Sequence, residues 1–164
     1  MYRIEMQNRK GLIHFDLTGN ILKCCFEVMK ELGSGFLESV YKNALFIAMR
    51  QSGIQVSTEQ SFEVVFRQQK IGRYVADLVV KDSVIVELKC CNCLTPEHQA
   101  QLINYLTVAD ISIGLLVNFG NTKLEYKRLC HPKVAIDEDD HIGPVPFLPS
   151  VRGKEIRKNK EPVL

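Results

Sequence analysis

The chain has 164 residues, 46% of them hydrophobic and 24% charged, with a net charge of +2. That length suits one domain with a sizeable core, and the near-balanced charge by itself indicates neither a nucleic-acid partner nor an acidic one. No run approaches the roughly 18 apolar residues that cross a bilayer, and no signal-peptide pattern opens the chain. A cytoplasmic protein with no membrane partner is therefore expected.

Residues 1–12 read as a polar, basic lead-in. From about Ile13 to Leu32 the apolar residues Ile21, Leu22, Cys25, Phe26, Val28, Met29 and Leu32 recur at helical spacing, with Thr18 or Asn20 as candidate caps. "GSG" at 33–35 breaks that helix, Gly33 being suited to the left-handed position after its end. A second helix is predicted from about Phe36 to Ser52, with Leu37, Val40, Tyr41, Ala44, Leu45 and Ala48 on its apolar face and Gly53 ending it.

The period then changes to two. "SFEVVFRQQ", "IGRYVADLVV" and "SVIVELKC" read as an antiparallel meander of three strands, the last two joined by a tight Lys81-Asp82 turn. "TPEHQAQLINYLTVA" is a helix with Pro96 at its first position. "ISIGLLVNFG" is apolar enough to be a strand buried on both faces, and the cationic "KLEYKRLC" suits a strand at a sheet edge. After Cys130 come five of the six prolines, "DEDD" and "RGKEIRKNK", a composition that fits an extended or disordered tail over 131–164. One domain over 13–130 is expected, with an α-α-β-β-β-α-β-β order and a mixed sheet flanked by helices.

The six cysteines fall at Cys24-Cys25, Cys90-Cys91-x-Cys93 and Cys130. In a cytoplasmic chain they read as reduced thiols; a thiolate metal site or iron–sulfur cluster at Cys90, Cys91 and Cys93 is the alternative.

"VADLVVKDSVIVELKC" puts three charges into an apolar hairpin, where a lone charge is costly unless paired or bound to an ion. Residues two apart on a strand face the same side, so Glu87 and Lys89 point together while Val86, Leu88 and Cys90 point away. A two-residue turn pairing Val80 with Ser83 sets Asp77 opposite Val86, beside Glu87; a bulge would shift this by one. Two neighbouring carboxylates suit a hard divalent cation, Mg²⁺ or Mn²⁺, and a lysine beside it suits metal-assisted phosphodiester hydrolysis. A bare E-x-K is more often an ion pair on a solvated face.

Asp77 followed by Glu87-Leu88-Lys89 on the next strand resembles the D…(D/E)-x-K core of the PD-(D/E)XK nuclease superfamily. The element order is similar to that superfamily's restriction-endonuclease-like αβββαβ core, an α/β (α+β) fold. Within it, Gly35-x-x-Glu38-x-x-Tyr41 resembles the signature of the GxxExxY proteins, and the likeness spans roughly residues 16–130. The resemblance implies that Asp77 and Glu87 bind the metal, that Glu38 completes the site, and that Lys89 serves the attacking water. Gln101-x-x-x-Tyr105 resembles the Q-x-x-x-Y motif of recombination-type exonuclease domains, which with Tyr41 would put these residues on the substrate side. A nucleic-acid substrate follows, DNA ahead of RNA.

There are departures. Met29 stands where relatives commonly carry a His before E-L-G, and Ser34 where a Pro is frequent. His98 lies beside Gln99 and Gln101, where it could reach the site. The basic residues Lys23, Lys30, Lys42, Arg67, Arg73, Lys123, Lys127 and Arg128 look scattered. The competing expectation is a non-catalytic binding or interaction module that keeps the fold.

Overall fold

The computed structural model describes residues 13–133; the lead-in over 1–12 and all but the first three residues of the expected tail lie outside them. Two helices, α1 (Phe15–Leu32) and α2 (Glu38–Gln51), precede the strands β1 (Val56–Phe66), β2 (Gln69–Val80) and β3 (Val84–Lys89). Helix α3 (Pro96–Ala109) then leads to β4 (Ile113–Asn118) and β5 (Glu125–Cys130). The strands form one sheet in the order β1-β2-β3-β4-β5. All neighbours are antiparallel except β3 and β4, which run parallel because α3 crosses between them. This is the mixed α+β architecture read from the sequence.

The sheet separates two apolar layers. Ile21, Cys25 and Val28 of α1 and Tyr41, Leu45 and Met49 of α2 pack on Val86, Leu88, Leu115 and Val117. Leu102, Ile103 and Leu106 of α3 pack on the other face, against Ala76, Val79, Ile85 and Leu116. Every residue of β4 is buried, as its unbroken apolar run requires of a central strand. A Cβ on Gly114 would come within 2.9 Å of Leu102, so glycine there lets α3 sit close to the sheet.

Local chemistry moves several expected boundaries. Helix α1 starts at Phe15, after His14 in a left-handed conformation at φ 56°. Thr18 and Asn20 therefore lie inside the helix, and the Thr18 hydroxyl donates to the Phe15 carbonyl at 3.0 Å instead of capping. Arg67 and Gln68 form a turn, with φ of 47° and 65°, so "SFEVVFRQQ" is not one strand. The turn after β2 is one residue longer in effect than a two-residue loop. Lys81 and Asp82 both have positive φ, Ser83 N–H bonds to Val80 O, yet Val80 pairs with Val84. Leu78, not Asp77, therefore lies opposite Val86.

Strand β2 also changes phase. Tyr74 and Ala76 belong to the α3-side layer, whereas Leu78 and Val80 belong to the α1/α2-side layer. Regular alternation would put all four on one face, so the side chains change face at Asp77, where the ladder with β1 skips a pair but keeps its register. His131 continues the ordered contacts past Cys130, its N–H bonding to the Ser112 carbonyl at 2.7 Å.

Candidate active site at the β2–β3 fork

The paired ladder of β2 and β3 runs only from Val80↔Val84 to Leu78↔Val86. At the next step, level with Glu87, the strands part. There the Asp77 carboxylate takes over the role of a strand backbone, its Oδ2 accepting the Leu88 N–H at 2.9 Å. That bond fixes Asp77 against β3, beside Glu87 and in the gap between the two helical layers.

Glu87 is buried, with 8% of its surface exposed. Its Oε2 accepts from the Tyr74 hydroxyl at 2.8 Å, and its Oε1 lies 3.7 Å from Lys89 Nζ. Burial, followed by the Asp77 charge, pushes the Glu87 carboxyl up to about 7, while the Tyr74 hydrogen bond and Lys89 oppose the rise. Tyr74 in turn is raised well above the usual phenol range by burial and by Glu87. The fold holds Glu87 beside the Asp77 charge that raises its pKa, a condition that a bound cation would relieve.

The other expected residues arrive from the two flanking helices. Glu38 opens α2, and its carboxyl is raised by partial burial and by Asp77. Lys89, a hydrogen bond from the Cys90 N–H and Lys42 pull it back. From the opposite layer, Gln101 Oε1 accepts from Lys89 Nζ at 3.4 Å. Tyr105, one turn further along α3, stacks on Tyr74 with ring centroids 3.3 Å apart and an interplanar angle of 12°. Burial and then Glu87 raise the Tyr105 hydroxyl, with a hydrogen bond to Gln101 acting against them. The structure thus brings together Glu38, Asp77, Glu87, Lys89, Gln101 and Tyr105.

Tyr41 lies apart from this group. It is fully buried, its hydroxyl donates to the Gly33 carbonyl at 2.6 Å, and its ring stacks on Phe119 at 4.7 Å. It holds the turn between α1 and α2 and has no surface to offer a substrate. His98 is likewise occupied: its Nδ1 accepts from Thr95 N–H, and its own N–H donates to Thr95 Oγ1, closing a capping box on α3. Met29 packs against the α1/α2-side core. All six cysteines are free, and among the described residues no three acidic, His or Cys side chains converge as a preformed metal cage. The alternative of a thiolate site at Cys90, Cys91 and Cys93 thus finds no such cluster among the described residues. Asp77 and Glu87 remain a two-carboxylate set, the number with which Mg²⁺ is commonly held when waters and substrate phosphates supply the rest.

Three residues at the site were not singled out from the sequence. Tyr74 reaches Glu87 across the fork and not through a paired position, so no spacing rule points to it. Lys42 bonds Glu59 at 2.9 Å and lies near Glu38 and Asp77; its position four residues after Glu38 was the available signal. Asn118, paired with Lys89 in the parallel register, is wholly buried. Its Oδ1 accepts from Cys91 N–H and Gly120 N–H, and its Nδ2 donates to Cys91 O and Glu125 Oε2. Asn118 thereby clamps the segment that leaves β3 just after Lys89.

Residues 15–129 match the sequence profile of the PD-(D/E)XK nuclease superfamily. No curated protein matches the chain. Among solved structures, the crystal structure of SSO0001 is similar at 19% identity with a TM-score of 0.47. The match covers 61% of this chain and 51% of that one, so the chain spans about half the length of that structure. The profile match covers the two helices, the hairpin fork and the crossover that build the site, and the chain belongs to the PD-(D/E)XK nuclease superfamily.

Proposed function

We propose that this protein is a divalent-metal-dependent nuclease that hydrolyses phosphodiester bonds in nucleic acid, DNA ahead of RNA. The observation that carries this reading is the pairing of Asp77 with Glu87 where β2 and β3 separate, with Lys89 Nζ 3.7 Å from the same Glu87 carboxylate. Asp77 and Glu87 would hold Mg²⁺ or Mn²⁺, with Glu38 bordering them. When bound, such an ion supplies Lewis-acid polarisation of the phosphate. Glu87 is fixed at one oxygen by Tyr74, which leaves the other turned toward Lys89. Lys89, steadied by Gln101, is placed to orient the attacking water and to meet charge developing on a phosphate oxygen. Tyr105 and Gln101 form the substrate-side wall.

The Gly35-x-x-Glu38-x-x-Tyr41 sequence supports a finer placement among the GxxExxY proteins, and free thiols at all six cysteines suit a cytoplasmic setting. A second reading, a binding module that keeps the fold, is favoured by one observation: no third ligand completes a cage among the described residues. The test compares Mg²⁺-dependent cleavage of single- and double-stranded DNA and RNA by wild type and Lys89→Ala. A nuclease loses about 10²-fold or more in rate with the variant. Equal rates, or no metal-dependent cleavage of any substrate, would overturn it. Calorimetry with Mn²⁺ separates the binding module, which shows no binding that depends on Asp77 and Glu87.

A further inference from the structure

Strand β2 joins two very different environments. Its inner end, Leu78–Val80, is paired on both sides, whereas from Ala76 outward it pairs with β1 alone. The base of this hairpin is anchored where Phe62 and Tyr74 stack at 6.0 Å and meet Tyr105 of α3. Beyond that point Phe66 to Arg73 are all exposed. A free two-stranded ribbon is marginally stable in water, so one that projects with nothing packed on it needs a reason.

The composition of its end supplies one. Residues 66–73, "FRQQKIGR", hold Arg67, Lys70 and Arg73 and no carboxylate, so two of the basic residues that looked scattered, Arg67 and Arg73, share one hairpin end. Phe66 is 47% exposed and Ile71 63% exposed, so the end also carries two large apolar groups in water. Arg67 lies over the Phe66 ring at 5.1 Å. Lys70 is paired with Glu63, which leaves Arg67 and Arg73 as the cations of this end without an ion pair among the described residues.

We propose that the free end of the β1–β2 hairpin is an arm that enters the major groove of a DNA duplex bound at the fork. Arg67 and Arg73 contact phosphates on the groove's edges, while Phe66 and Ile71 contact base edges within it. The proposal rests on the nuclease reading and names its substrate class, duplex DNA. Charge complementarity with phosphate and continuity with the site both support it, since one strand carries Asp77 and the arm. Eight residues separate Asp77 from Gln69, about 26 Å at about 3.3 Å per residue. That reach corresponds to about eight base pairs at about 3.4 Å each. The major groove of B-form DNA admits a two-stranded ribbon, whereas that of A-form RNA is too deep and narrow for side-chain readout. The arm therefore discriminates DNA from RNA duplexes as well as adding affinity.

The test uses the full chain in EDTA and fluorescence anisotropy with a duplex DNA of about two helical turns, the same sequence as duplex RNA, and one DNA strand alone. The double variant Arg67→Gln with Arg73→Gln is expected to bind duplex DNA about tenfold more weakly, with the log–log salt slope reduced by about two. Phe66→Ser with Ile71→Ser is expected to weaken duplex DNA binding while leaving that slope unchanged. All four side chains are exposed, so thermal unfolding should match wild type. Hydrolysis of a p-nitrophenyl ester of thymidine 5′-phosphate, too small to reach the arm, reports on the fork alone. Normal ester hydrolysis with lost duplex binding supports the arm. Absence of ester hydrolysis in wild type counts against the nuclease reading, and the binding arms of the experiment still decide the present one. Failure of wild type to bind duplex DNA, wild-type affinity in both double variants, or equal losses on RNA would overturn the proposal. So would a wild-type dimer that Phe66→Ser with Ile71→Ser dissociates without affecting DNA binding, because the arm would then be a self-association surface.

Discussion

In the metal-free protein, Glu87→Gln should remove a large pH dependence of stability. The Glu87 carboxyl stands at about 7 against an ordinary value of 4.5, chiefly through burial and the neighbouring Asp77. Between those two values the native state binds a proton that the unfolded chain has released. Stability therefore falls as pH rises from about 4.5 through about 7, and the full cost is present above that. At about 1.4 kcal/mol per unit, the rise corresponds to about 3 kcal/mol lost across the window. Glutamine keeps the shape and leaves an oxygen to accept from Tyr74, so the substitution removes the charge and little else. Urea unfolding in EDTA at about pH 5 and about pH 8 measures it. Wild type should lose about 2.5 kcal/mol more than Glu87→Gln between the two conditions, because part of the cost is already present at about pH 5. His131, whose pKa is lowered by burial, acts in the opposite sense but cancels in the comparison. Parallel pH profiles for the two proteins would refute the reasoning, because they would mean that Glu87 is not held ionised at a cost. The same comparison repeated with Mn²⁺ at about pH 8 should stabilise wild type by about 2.7 kcal/mol at a hundredfold excess over Kd, and Glu87→Gln by less.

Two further substitutions examine how the site is held. In Gly120→Ala the new Cβ would meet the Cys91 backbone N and O and lie 2.9 Å from the Cys90 carbonyl carbon. Backbone must move, costing about 1–3 kcal/mol in chemical denaturation. Because Phe119 N–H bonds the Lys89 carbonyl at 2.8 Å, the shift reaches Lys89, and cleavage should slow by about 10²-fold for about 1 Å of displacement. Tyr74→Phe removes only the hydroxyl that donates to Glu87 at 2.8 Å. Loss of a hydrogen bond to a buried carboxylate should destabilise the protein by about 1.5–3 kcal/mol at about pH 8 and by less at about pH 5, where Glu87 is protonated. Denaturation curves at the two pH values check this.

Periodicity was enough to specify every helix and strand of the described residues in the right order, because each element has an apolar face whose spacing only one geometry satisfies. Asp77, Glu87 and Lys89 were legible for a related reason: charges in an apolar hairpin are exceptions that sequence shows directly. The limits of sequence are as specific. The turn at Lys81–Ser83 and the phase change at Asp77 are backbone conformations, set by which layer Ala76 and Leu78 bury against. They decide that Asp77 stands level with Glu87, and no local pattern encodes them. Tyr41 shares a helix with Glu38, yet only its burial against Phe119 shows that it supports the turn and does not face the fork. Tyr74, Asn118 and Gly120 act through contacts with residues 13 to 29 positions away, which spacing along one element cannot reveal.

The sequence by itself determined the element order, the two carboxylates with their lysine, and through these the likeness to the PD-(D/E)XK nuclease superfamily. Tertiary structure alone decided that β2 parts from β3 at Asp77, that Tyr74 and Gln101 hold Glu87 and Lys89, and that the hairpin end from Phe66 to Arg73 stands exposed along its whole length. The physical reason is the range of the forces involved. Apolar spacing and backbone propensity act within one element and are written in consecutive residues. The pairing of charges and the placement of a buried carboxylate depend on where separate elements meet.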